Sequence, residues 1–134
     1  MDFRTSDDAG VYRWDDKSAL VQTVDFITPI VDDPLLYGQI AAANALSDVY
    51  AMGGQPLTAL AIAGFPKKGL DSEVQQAIFE GGLTKLREAN VALLGGHTVQ
   101  DPEIKFGYSI TGSIDVERVL TNTKAQPGDN LLLT

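Results

Sequence analysis

The segment KFGYSITGSI, residues 105–114, alternates apolar and polar side chains so regularly that it leaves the chain few folds. Successive side chains of a strand point to opposite faces, so Phe106, Tyr108, Ile110 and Ile114 share one face while Lys105, Ser109, Thr111 and Ser113 share the other. An apolar face of this kind must be covered by a second layer, and the rest of the chain has to supply it.

Two segments have the spacing to do so. In DDPLLYGQIAAANALSDVYAMGGQP, Asp33 stands where an N-cap belongs and Pro34 suits the first helical position. Leu36, Ile40 and Ala43 recur at helical intervals, and Gly53-Gly54 followed by Pro56 ends the helix. Further on, Ser72 and Gln75 fit a capping box ahead of Val74, Ile78, Leu83 and Leu86, with Asn90 as the stop. The remaining apolar segments read as strands. GVYRW (10–14) and ALVQTVDF (19–26) form a hairpin around Asp15-Asp16-Lys17. LTALAIAGF (57–65) places Ala59, Ala61 and Ala63 on one face, small enough to let another layer approach closely. VALLGGHT (91–98) reads as a short buried strand running into a glycine turn. AQPGDNLLLT gives a turn and then the start of an apolar strand, so the chain is expected to continue into another domain. No repeat or linker divides the 134 residues, which with 44% apolar content suit one domain. The expected class is α+β, a mixed four-stranded sheet covered by two main helices on one face.

Charge and composition exclude several functions. A formal net charge of -8 argues against a general nucleic-acid or anionic-membrane surface, since both need positive potential. With no cysteine there is no disulfide framework, thiolate metal site or cysteine nucleophile in these residues. The opening MDFRTSDDAG lacks a basic region followed by an apolar core, and no apolar run reaches about 18 residues, so neither signal peptide nor transmembrane span is read and a cytoplasmic location is expected.

The acidic residues are unevenly placed. Of thirteen aspartates, nine fall in the first 48 residues, whereas the first glutamate is Glu73. Aspartate holds its carboxylate near the backbone, which suits turns, caps and close metal coordination. Asp15-Asp16 and Asp32-Asp33 have turn and cap roles, which leaves Asp7, Asp8, Asp25 and Asp48. Asp48 opposes the helix macrodipole late in an alanine-rich helix, one turn after Asn44. Spacing alone leaves two readings: a divalent cation held by Asp8 and Asp48, or a solvated acidic surface. Gly95-Gly96-His97-Thr98 likewise reads either as backbone shaped to approach phosphate or as a plain turn with a surface histidine. Neither a P-loop nor a dinucleotide fingerprint is present, so any nucleotide site must be built around metal.

TSDDAGVY, QTVDFITPIVDDP, AAANALSDVYAMGGQP and LLGGHT occur in the order found in selenophosphate synthetases, and the resemblance runs over almost the whole chain. A wider superfamily, including aminoimidazole ribonucleotide synthetase and thiamine-monophosphate kinase, shares the aspartate scheme. The resemblance implies that Asp8 and Asp48 hold Mg²⁺ against ATP phosphates. It further implies that Thr5, Ser6, Asp7 and Asp25 contact the nucleotide or a further metal, and that Gly96, His97 and Thr98 reach ATP in a neighbouring subunit. Sheets of two subunits would pair into a barrel-like homodimer. The implied reaction is ATP plus selenide plus water giving selenophosphate, AMP and phosphate. The family's upstream cysteine or selenocysteine and phosphate-reaching lysine are not in this sequence, nor is its C-terminal half. Residues 1–134 therefore resemble an isolated N-terminal ATP-binding and dimerisation domain, expected to be inactive alone and to contain no catalytic residue. The alternatives are a domain of another enzyme of that superfamily, acting on a ribonucleotide or a thiamine phosphate, and, in a different class, a non-catalytic dimerisation module.

Overall fold

The computed structural model describes residues 5–132. Strand β1 (Gly10–Arg13) and strand β2 (Ser18–Ile27) form the expected hairpin, with Asp15 Oδ1 accepting from the amides of Lys17 and Ser18, both at 2.7 Å. Helix α1 (Pro34–Ala51) follows, then strand β3 (Gln55–Phe65), helix α2 (Ser72–Glu88), strand β4 (Ala92–Gln100) and strand β5 (Lys105–Asp115). Two 3-10 turns, Val116–Arg118 and Asn122–Lys124, come last.

The sheet has five strands in the order β1-β2-β5-β3-β4, which corrects the expected count of four. Neighbouring strands are antiparallel except β3 and β4, which are parallel because α2 carries the chain back between them. β4 also differs from its expected character. Rather than ending in a glycine turn, it continues through Gln100, and it lies exposed along its whole length at the sheet edge. No strand forms at Leu131 and Leu132, and the last two residues of that expected strand lie outside the described residues.

Both helices cover one face. β5 supplies Phe106, Tyr108, Ile110 and Ile114 to it, and β3 supplies Ala59, Ala61 and Ala63, all buried. Phe79 of α2 meets Phe106 edge-on at 5.0 Å, and Phe106 meets Tyr108 at 5.2 Å. The helices approach backbone to backbone where Gly38 faces the Ile78 carbonyl and Gly81 faces the Leu35 carbonyl. Asp33 caps α1 as expected, its Oδ1 accepting from the amides of Leu35 at 2.9 Å and Leu36 at 3.0 Å. The expected capping box of α2 does not form. Asp71 occupies the cap position without a side-chain bond, and Ser72 is already the first helical residue. Asn90 stops α2 in the left-handed conformation, φ 61°.

Candidate functional site

Register and burial place β2 residues unambiguously. Ala19 and Val21 are buried beneath the helices, so Thr23 and Asp25, at two-residue steps, share that face. Polar residues thus take over where the apolar side of the strand emerges from the core. Helix α1 returns antiparallel along β2: the Tyr37 hydroxyl donates to the Ile27 carbonyl at 2.6 Å, Asn44 Nδ2 donates to Asp25 Oδ2, and Thr23 Oγ1 donates to Asp48 Oδ2 at 2.6 Å. Two strand residues advance about 6.6 Å and four helical residues about 6 Å, so the pairs Asp25–Asn44 and Thr23–Asp48 fall in step.

Asp48 is half-buried in the last turn of α1, where no basic side chain offsets it. Its carboxyl is held above the ordinary range, first by desolvation and then by the charges of Asp25 and Asp8, against the opposing pull of the Thr23 hydrogen bond. Asp8 is exposed in the loop before β1, beside a hollow of about 290 Å³ lined by Asp7, Ala9, Gly10, Gln22, Thr23 and Val24. Of the sequence-predicted residues, Asp8 and Asp25 therefore both bear on Asp48. Ion pairs among the described residues join Arg13 to Asp16, Lys85 to Glu88, and Lys105 to Asp101 and Glu103, all away from this cluster.

Asp7 is engaged differently. Its Oδ2 accepts from Thr5 Oγ1 at 2.5 Å and its Oδ1 from the Asn122 amide at 2.9 Å, and these two bonds, in that order, hold its carboxyl below the usual value. Ser6, with φ 52°, offers its carbonyl to Asn122 Nδ2 at 2.8 Å. Gly96, His97 and Thr98 stand apart from all of these. They lie on β4, with β5 and β3 between them and β2, three strand spacings or about 14 Å away. Gly96 is fixed by packing, since a Cβ there would strike the Ala61 backbone. With Ala61, Phe79, Leu93 and Gly95 the segment lines a separate cleft of about 270 Å³.

Sequence reasoning missed Thr23, Asn44 and Asn122 as site residues. The switch from Ala19 and Val21 to Thr23 and Asp25 on one face of β2 was a signal for Thr23, and the one-turn step to Asp48 was a signal for Asn44. Asn122 gave none.

Among the described residues no three His, Cys, Asp or Glu side chains gather closely enough to enclose a metal by themselves. The donor set suits Mg²⁺ nonetheless, because that ion takes one or two carboxylates and completes its shell with water and phosphate oxygens. Thr23 and Asn44 each occupy one oxygen of a carboxylate that has roughly four acceptor sites, which leaves capacity for a cation.

A sheet covered by two helices on one face, with Asp25 and Asp48 brought together where β2 meets α1, defines a two-layer α+β domain with an acidic edge. The chain belongs to the family described as AIR synthase related protein, N-terminal domain, which matches residues 6–114. It is 59% identical over 129 residues to the selenide, water dikinase of Pelobacter propionicus, covering 96% of this chain and 37% of that protein. Identity to the selenide, water dikinase of Geobacter metallireducens is 57% over 130 residues, covering 97% and 38%. The chain thus spans less than two fifths of the length of these relatives. Among solved structures, thiamine monophosphate kinase from Aquifex aeolicus superposes with a TM-score of 0.72 at 23% identity, over 84% of this chain and 38% of that one, a likeness of fold alone. No helix among the described residues is long and apolar enough to cross a membrane.

Proposed function

We propose that these residues form the Mg·ATP-binding domain of a selenide, water dikinase, whose whole chain converts ATP, selenide and water into selenophosphate, AMP and phosphate. The observation that supports it best is the half-buried Asp48 carboxylate, hydrogen-bonded by Thr23 and raised first by desolvation and then by the charges of Asp25 and Asp8, a burden that a divalent cation would relieve. Asp8 and Asp48 would hold Mg²⁺, and the ion would supply charge neutralisation to a polyphosphate cleaved twice. Thr23 and Asn44 orient the carboxylates of Asp48 and Asp25. Thr5, Ser6, Asp7 and Asp25 would lie along the nucleotide. The cytoplasm is the proposed location.

The open face of the sheet supports pairing with a second copy. Register aligns Val24, Ser109, Leu60 and Gly95 in one row and Phe26, Gly107, Ile62 and His97 in the next. Val24 is 62% exposed, Phe26 50% and Leu60 48%, an apolar surface of the kind that marks association. A barrel-like homodimer closed across this face would carry His97 towards the neighbouring subunit, and with it Gly96 and Thr98.

Titration calorimetry with Mg²⁺ and a non-hydrolysable ATP analogue tests the reading. Binding by the chain that weakens in Asp48→Asn supports it; no heat from either protein overturns it in favour of a dimerisation module. Because the relatives are far longer, the chain alone is expected to form no AMP from ATP and selenide, and turnover near that of the whole enzyme would refute that part.

A further inference from the structure

We propose that Asn122, which lies beyond the family-matched residues 6–114, is the positioning residue that sets Asp8 opposite Asp48. The inference rests on the Mg·ATP reading of that site.

Ser6 and Asn90 are the non-glycine residues with positive φ among the described residues, at 52° and 61°. Asn90 ends a helix, a common use of that conformation. Ser6 ends none. A left-handed serine persists where its surroundings over-determine it, and such positions concentrate at functional sites. Asn122 supplies that determination from both sides, with its side-chain amide on the Ser6 carbonyl at 2.8 Å and its backbone amide on Asp7 Oδ1 at 2.9 Å. Thr5 Oγ1 takes the other oxygen of Asp7. Asp7 is thereby committed to the loop's own structure, so of the two aspartates that line the hollow beside Thr23 it is Asp8 whose carboxylate these bonds leave uncommitted.

Asn122 is in turn fixed to the helix that bears Asp48. The Leu120 amide donates to the carbonyl of Met52, the C-cap of α1, at 3.0 Å, the Leu120 side chain packs on Gly53, and Val119 is buried. A continuous frame therefore runs from Asp48 through Met52 and Leu120 to Asn122, then through Ser6 and Asp7 to Asp8. Two carboxylates that are forty residues apart in sequence are held by one clamp, which is what a cation with strict octahedral geometry demands of its ligands.

The clamp can be removed without breaking its support. Thr121 is extended, φ -140° and ψ 151°, as a residue before proline must be, and proline suits the first position of the Asn122–Lys124 turn. Asn122→Pro therefore deletes both donors and spares the Lys124 amide to Thr121 carbonyl bond at 3.1 Å. Asn122→Ala deletes the side-chain donor alone. Mn²⁺ titrated into the 134-residue chain, followed by water-proton relaxation, reads the site directly, and circular dichroism checks the fold. The expected result is Mn²⁺ affinity lower by about tenfold in Asn122→Pro and by about threefold in Asn122→Ala. In addition, Asp8→Asn should lose less when made in the Asn122→Pro background than alone. Wild-type affinity in a folded Asn122→Pro, or losses from Asn122→Pro and Asp8→Asn that simply multiply, overturns the clamp alone. If Asn122→Pro does not fold, unchanged affinity in Asn122→Ala overturns it equally. No relaxation change in the unsubstituted chain overturns the metal reading and the clamp together.

Discussion

Thr23 Oγ1 donates to Asp48 Oδ2 at 2.6 Å, linking the middle of β2 to the last turn of α1. This neutral donor opposes desolvation and the charges of Asp25 and Asp8 on the Asp48 carboxyl. It also turns that carboxylate to one orientation, leaving the other oxygen for a cation. Thr23→Val keeps the shape and removes the donor. Mg²⁺ affinity is expected to fall about tenfold, as for other groups that orient a ligand, and the pH midpoint of binding to rise. Thr23→Ser should restore both. Calorimetry at several pH values checks the pair, and equal behaviour of the valine and serine variants would remove Thr23 from the site.

Asp48 is expected to cost stability in the absence of metal. Its folded-state carboxyl titrates above the ordinary value of 3.8, so the folded protein binds the extra proton and stability falls as pH rises from that value through the raised one. Asp48→Asn removes the penalty. Partial exposure screens it, so the expected gain in Tm at pH 7 is at most about 2 °C, vanishing below the unfolded-state value. The same substitution should weaken Mg²⁺ binding. Thermal unfolding of both proteins across acidic and neutral pH measures this, and a variant less stable at pH 7 would contradict the sign.

The readable parts of this chain were those whose signals are local. Strict alternation in 105–114 and the Asp33-Pro34 start of α1 both reappear in the structure, because pleat and cap geometry act over a few residues. Asp8, Asp25 and Asp48 lacked an ordinary turn or cap role in the sequence, and the structure brings the charges of Asp8 and Asp25 to bear on Asp48. β4 was misread because VALL looks the same in a central strand and in an edge strand. Only its pairing with β3 through α2 decides between them. The α2 cap was displaced by one residue because Asp71 and Ser72 both suit that position. Asn122 was invisible, as its partners Ser6 and Asp7 are more than a hundred residues away in sequence.

Leu60 stands near the middle of the open sheet face, 48% exposed, between Ser109 of β5 and Gly95 of β4. A glutamate there would have to lose its hydration if a second copy closed over the face. Leu60→Glu is expected to weaken self-association by about tenfold or more while leaving the circular dichroism unchanged. Sedimentation equilibrium reads the outcome, and identical association of the two proteins would move the dimer contact to another surface.

The Tyr108 hydroxyl is buried against Gly82 of α2 and finds no hydrogen-bond partner among the described residues. Desolvation holds its ionisation far above that of a free tyrosine. The hydroxyl occupies the place where a Cβ on residue 82 would go, and the ring carbon bearing it lies 3.0 Å from that point. Gly82→Ala is therefore expected to cost about 1–3 kcal/mol through overpacking, despite the better helix propensity of alanine. Tyr108→Phe should be neutral or stabilising by about 1 kcal/mol, because it deletes a buried polar group that pays no compensating bond. Combining them removes the obstructing oxygen, so the double variant is expected to recover most of the loss seen in Gly82→Ala. Urea unfolding of the four proteins gives the coupling, and strictly additive effects would mean that the helix shifts rather than meeting Tyr108.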